Sequence, residues 1–145
     1  MKPTFLRSTL AALASGAALA FASPSIAATV TLKADLKASS EVPPNDSEGT
    51  GSLTVTYDDA SKKLSWKGST SDLSGPATAA HFHGPAGPGE NAGVVVPISG
   101  ANKGAFEGSA TLTDAQATEM LAGKWYVNVH TATNKGGEIR GQLTK

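Results

Sequence analysis

The sequence contains no cysteine and few aromatic residues, which make up 6% of the chain. Without cysteine, a protein has neither disulfide bonds nor thiolate ligands for a metal ion, so hydrophobic burial must provide most of its stability. An excess of one charge is missing too, because 12 basic residues balance 12 acidic ones. Proteins that bind nucleic acid usually carry a basic surface, so we expect no nucleic-acid partner.

Long hydrophobic runs are also missing, except near the start of the chain. There, a cationic segment with Lys2 and Arg7 precedes an apolar stretch that ends in small residues, and Ala27 offers a cleavage point. This pattern is typical of a secretory signal peptide and is too short for a membrane span. We therefore predict a signal peptide over residues 1–27 and one mature domain over residues 28–145. We expect this domain to be periplasmic or secreted, without a membrane span.

Short segments in which apolar and polar residues alternate follow one another along the mature domain, as in half-buried β-strands. They predict seven or eight strands, from the segments 29–36, 52–57, 63–68, 79–84, 93–98, 104–112, 125–131 and 138–143. The second and third segments should form a hairpin. Its candidate core residues are Leu53, Val55, Tyr57, Leu64 and Trp66.

Two further segments interrupt the strands. Thr113 and Gln116 match a capping box and Gly123 suits the left-handed end of a helix, so we predict one short helix between them. Residues 41–49 contain two consecutive prolines and no periodic pattern, so we predict an exposed loop there. Together the elements indicate an all-β fold, an antiparallel Greek-key-like β-sandwich or flattened barrel, superoxide-dismutase-like or immunoglobulin-like, with one short helix.

All three histidines of the chain fall on two of the predicted strands. Alternate residues of a strand share a face, so His81 and His83 project together. By the same rule, His130 shares a face with Asn128 and lies opposite Val129. The apolar residues can then enter the core while the imidazoles point away from it. If the two strands are neighbours, the three imidazoles meet.

Three motifs surround these histidines in a fixed order: HFHGPA at 81–86, GKWYVNVHT at 123–131 and GGEIRGQ at 136–142. Together they resemble the chordin-domain (CHRD) family, and the resemblance covers essentially the whole mature domain. The family is named for repeats in an extracellular antagonist of bone morphogenetic proteins. Its stand-alone bacterial members resemble exported proteins whose activity is mostly unassigned. The resemblance therefore supports a fold and a compartment more than a mechanism.

Three imidazoles can supply three nitrogen ligands and leave a position open for water or substrate. Such a site suits copper or zinc. Copper stands above zinc in the affinity order and no thiolates compete, so copper is our first hypothesis, with zinc as the alternative. If the histidines only hydrogen-bond to loop carbonyls, there is no metal. The predicted ligands are His81, His83 and His130, and the residues predicted to orient them are Asn128, Glu138 and Arg140.

The pattern of His-x-His with a distant third histidine is similar to that of copper-zinc superoxide dismutases, whose ligands also lie on a β-sandwich. The chain departs from that pattern because it has no fourth histidine to bridge two metals, no zinc cluster of histidines and no cysteine for a disulfide. A two-metal dismutase site is therefore not expected.

Three functions stay open at this point. The main hypothesis is an exported protein that binds or stores one transition-metal ion without catalysis. The second is an interaction module in the envelope or matrix, in which the histidines are structural and the loop 84–92 meets an unidentified protein partner. The third is a mononuclear copper or zinc enzyme, superoxide-dismutase-like or hydrolytic.

Overall fold

The computed structural model describes residues 28–145, so the predicted signal peptide lies outside the described residues. Each of the eight predicted segments forms a strand. The strands are β1 (Thr29–Lys37), β2 (Thr50–Asp58), β3 (Lys63–Ser71), β4 (Ala77–His83), β5 (Val94–Ile98), β6 (Ala105–Thr111), β7 (Tyr126–Thr131) and β8 (Ile139–Gln142). One helix, α1 (Asp114–Leu121), lies between β6 and β7, and short 3-10 turns follow β1 and β5.

The eight strands form one sheet with the order β5-β4-β7-β8-β1-β2-β3-β6, and all its pairs are antiparallel. The sheet curls until its two edge strands, β5 and β6, come together, which gives a nearly closed, flattened barrel. Four of the seven neighbouring pairs join consecutive strands, whereas β4 pairs with β7, β8 with β1 and β3 with β6 across longer stretches of the chain. The predicted all-β fold with one short helix is confirmed.

The core lies inside the barrel and follows the alternation of the strands. In β1, Leu32, Ala34 and Leu36 are buried, while the residues between them are exposed. All the core residues predicted for the hairpin of β2 and β3 are buried as well: Leu53, Val55, Tyr57, Leu64 and Trp66. Full burial of one large apolar side chain contributes about 1.5–3 kcal/mol, so this layer can stabilise a domain without disulfide bonds.

Helix α1 begins at the predicted capping box. The hydroxyl of Thr113 accepts a hydrogen bond from the backbone N–H of Gln116 at 3.2 Å, and the Gln116 side chain accepts one from the backbone N–H of Thr113 at 2.9 Å. The chain leaves the helix at Gly123, whose φ of 76° suits glycine. Among residues 28–145, no helix is long and apolar enough to cross a membrane.

The loop over residues 41–49 is not exposed throughout, contrary to the prediction. Glu41 and Gly49 are buried. The amide of Asn45 donates to the backbone carbonyl of Glu138 at 3.0 Å, and the hydroxyl of Ser47 donates to the carboxylate of Glu138 at 2.6 Å. Prolines and the lack of a period identify a loop, but they do not show what it packs against.

Glu138 ties this end of the barrel together. Its buried carboxylate accepts hydrogen bonds from the hydroxyls of Ser47 and Thr131, and from both the backbone N–H and the hydroxyl of Ser74, at 2.7 and 2.6 Å. Burial acts to raise the pKa of Glu138, but the hydrogen bonds from these residues outweigh it and lower the pKa to about 2. One carboxylate therefore joins three separate segments of the chain.

We expect Glu138→Gln to lower the free energy of unfolding by about 2–3 kcal/mol at pH 7, because an amide cannot accept all of these hydrogen bonds. A group whose pKa is lowered by folding stabilises fully above its unfolded pKa, 4.5 here, and loses that effect as the pH falls toward 2. The difference between the two proteins should therefore shrink between pH 4.5 and pH 2. Urea unfolding across this range measures it.

Glu107→Gln is the matched control. Glu107 is exposed and lies 3.6 Å from Lys67 in a surface ion pair, which should contribute less than about 1 kcal/mol. Equal losses in the two variants at pH 7 would contradict the role given to Glu138.

Candidate metal centre

The structure places β4 and β7 side by side, which is the arrangement in which the three imidazoles meet. In their register, His81 faces Asn128 and His83 faces Tyr126. His130 faces Ala79, two residues beyond Asn128 on β7. The side chains between them enter the core. We call the outer surface of β4, β7 and β8 the histidine face; its residues are His81, His83, Tyr126, Asn128, His130, Arg140 and Gln142.

The three imidazoles form one cluster. One nitrogen from each ring lies within 4.8 Å of the other two. Nδ1 of His81 is 3.3 Å from Nε2 of His130. Metal–nitrogen bonds of about 2.0–2.1 Å in a tetrahedral site place two ligand atoms about 3.3 Å apart. This pair therefore already has the separation that a metal ion needs, and His83 has only a short distance to close.

Backbone carbonyls anchor two of the three rings. Nδ1 of His83 is 2.9 Å from the carbonyl oxygen of Ala92, and Nδ1 of His130 is 2.9 Å from that of Lys135. A carbonyl oxygen can only accept, so both Nδ1 atoms donate, and in the neutral ring Nε2 keeps its lone pair. Metal-binding histidines commonly use this arrangement, because the outer hydrogen bond fixes the tautomer and the ring orientation.

The surroundings keep two of the imidazoles in the neutral form. Burial lowers the pKa of His81, and the charges of His130 and His83 lower it further. Burial also lowers the pKa of His83, although its hydrogen bond to Ala92 acts in the opposite direction. Metal ions bind neutral imidazole, and the lowered pKa favours that form of His81 and His83.

Arg140 holds the loop over residues 84–93 against the histidine face. Its guanidinium donates to the backbone carbonyls of Gly87 and Glu90, at 3.1 and 2.6 Å, and to the side-chain oxygen of Asn91 at 3.1 Å. Arg140 itself is almost completely buried. A buried charge is costly unless it is well hydrogen-bonded, and here the loop supplies the partners.

Tyr126 connects Arg140 to His83. Its ring lies between the two, with Cζ of Arg140 3.4 Å from the ring centre and the imidazole of His83 stacked at 4.9 Å between centroids. The hydroxyl of Tyr126 bonds to both the N–H and the carbonyl of Ala92, at 3.1 and 3.2 Å. The same carbonyl anchors His83. Arg140 and Tyr126 therefore fix the loop, and the loop fixes the imidazole.

The three residues predicted to orient the histidines have different places. Asn128 lies on the histidine face, directly opposite His81. Arg140 acts on His83 through the loop rather than by direct contact. The carboxylate of Glu138 bonds to hydroxyl groups at the end of the barrel and not to a histidine. Strand β8 begins only after Glu138, so its side chain is not held to the alternation of the strand.

Sequence reasoning missed Tyr126, Ala92 and Glu41. Glu41 is buried, and its Oε1 has no hydrogen-bond partner among the described residues. Burial raises the pKa of Glu41 to about 7, although Arg140 and then Asn128 lower it. No pattern around Glu41 indicates a buried carboxyl group. For Tyr126, the only signal was its place on the face that it shares with Asn128.

The fold and the site thus define an all-β domain with a histidine cluster on the outer face of its sheet. The sequence model of the CHRD domain family matches residues 32–143, nearly all of the described chain. The chain therefore belongs to the CHRD family. No curated protein and no solved structure matches it significantly.

We expect Arg140→Gln to loosen the loop over residues 84–93, because the neutral amide cannot replace the forked guanidinium. The Nδ1 proton of His83 should then exchange faster with water, which NMR of the metal-free protein measures.

His130 is the internal control, since Lys135 anchors it from a different loop. Lys67→Gln, which removes one exposed positive charge, should leave both rings unchanged. An unchanged His83, or equal changes at both rings, would show that Arg140 does not act through the loop.

Proposed function

We propose that this CHRD domain is an exported protein that binds one transition-metal ion, copper in preference to zinc, through His81, His83 and His130. One observation carries the proposal. Backbone carbonyls hold two of the rings by Nδ1, and the buried Nε2 of His83 has no hydrogen-bond partner among the described residues. Buried polar atoms in native proteins nearly always have a partner, and a metal ion would supply the missing one.

The preference for copper rests on the donor set. Three imidazoles form a nitrogen-rich site of intermediate softness, and copper(II) binds such sites more strongly than zinc does. No thiolate in the chain competes for either metal. Export rests on the signal-like sequence of residues 1–27.

Binding or storage is favoured over catalysis by the use that the structure makes of two charged residues. Arg140 is a candidate for guiding an anion, but its guanidinium is bonded to the loop over residues 84–93. Glu138 is a candidate base, but its carboxylate is bonded to Ser74 and Thr131. Both groups are therefore engaged in hydrogen bonds within the structure.

Titration of the metal-free protein with Cu(II), followed by calorimetry, tests the proposal. We expect saturable binding of one ion per chain and its loss in His83→Ala, because two remaining imidazoles make a weak site. Binding should also weaken from pH 7 to pH 5, since protons compete for the imidazoles. Thr78→Ala is the control, because Thr78 is exposed on the same strand. A parallel titration with Zn(II) tests the preference for copper.

Two results would overturn the proposal: no saturable binding by the wild-type protein, or unchanged binding by His83→Ala. Either would favour the interaction-module hypothesis instead. In that case a variant without the three histidines should keep its partner and its stability, and the exposed part of the loop 84–92 would be the surface to change first.

A further inference from the structure

We infer that the side-chain oxygen of Asn128 is a fourth ligand, which completes a site of three imidazole nitrogens and one amide oxygen. The inference rests on the proposed metal binding and goes beyond it, because it assigns the position that three histidines leave open. It follows from the position of Asn128 beside the histidines and from its buried oxygen, which has no hydrogen-bond partner among the described residues.

Asn128 lies at the centre of the three histidines. It faces His81 directly across the pair of β4 and β7, where Cβ atoms are about 4.5–5.5 Å apart. His83 is its diagonal neighbour on β4, at about 7–8 Å. On its own strand, Asn128 is two residues from His130, which is about 6.6–6.8 Å. The register therefore places Asn128 beside all three histidines on the same face of the sheet.

Two buried acceptor atoms on this face have no hydrogen-bond donor among the described residues. One is Oδ1 of Asn128, a residue that is 4% exposed. The other is Nε2 of His83, which is also buried. Because Nδ1 of His83 already donates to Ala92, Nε2 of the neutral ring can only accept. Two neighbouring acceptors without a donor are unfavourable in a protein interior. A cation that binds both removes this cost.

An amide oxygen is a neutral and weak ligand compared with imidazole. Blue-copper sites, which hold the metal by two imidazoles and one thiolate, carry one weak additional ligand, and the side-chain oxygen of glutamine is a known example. Asn128 would thus complete the coordination without adding negative charge, which is consistent with a preference for copper over harder metals that need carboxylates.

The test combines Cu(II) titration with electron paramagnetic resonance of the copper-loaded protein. In Asn128→Leu, which removes the oxygen at similar size, we expect about ten- to a hundredfold weaker binding and changed g and hyperfine values. In Asn128→Asp, which keeps an oxygen and adds charge, we expect binding at least as tight as in the wild type, with a spectrum shifted in its own way. Asn102→Leu, at an exposed asparagine, is the matched control.

The outcomes separate this inference from the proposed function. If the wild type binds one Cu(II) and Asn128→Leu shows the wild-type affinity and spectrum, the three histidines bind the metal without Asn128 and only the inference fails. If the wild type binds no Cu(II), the proposed function fails first. Should Asn128→Leu not fold, Asn128→Asp decides alone, because a wild-type spectrum in that variant would show that residue 128 does not touch the metal.

Discussion

The antiparallel pairing of β4 with β7 is the contact on which the rest of the structure depends. The two strands are far apart along the chain, and their register brings His81 opposite Asn128. A slip of β4 by one residue would turn His81 and His83 into the core and bring Phe82 to the surface, and a slip of β7 would do the same with His130 and Val127. Both of these residues are completely buried, so the core opposes such a slip. Hydrophobic packing on one face of the sheet thereby sets the positions of the polar groups on the other.

Strand pairing places the imidazoles, but loops orient them. The carbonyls of Ala92 and Lys135 belong to two different loops, and each fixes the tautomer of one histidine. A loop can do this only if it is held still. Arg140 holds the first of the two loops with three hydrogen bonds. Glu138 plays the corresponding part at the end of the barrel, where it binds the loop over residues 41–49. The buried charges of Arg140 and Glu138 therefore hold loops in place.

Much of the fold could be predicted from the sequence because alternation is local. The faces of His81, His83 and His130 follow from the period of two, and the capping box of α1 needs only four residues. The pairing of β4 with β7 has no local signal, so from the sequence it was only a condition for the three imidazoles to meet. The sequence does not show that Glu41 is buried or which residues bond to Glu138, because the contacts involve segments that are distant along the chain. A loop pattern says nothing of burial.

The metal content of the protein, purified from the cells that produce it without chelator or affinity metal, tests most directly whether the histidine cluster is a metal centre. We expect close to one copper or zinc ion per chain in the wild type and a loss of that ion in His81→Ala. A wild-type protein without metal even after reconstitution, or an equal metal content in the variant, would contradict the assignment of the cluster as a metal centre.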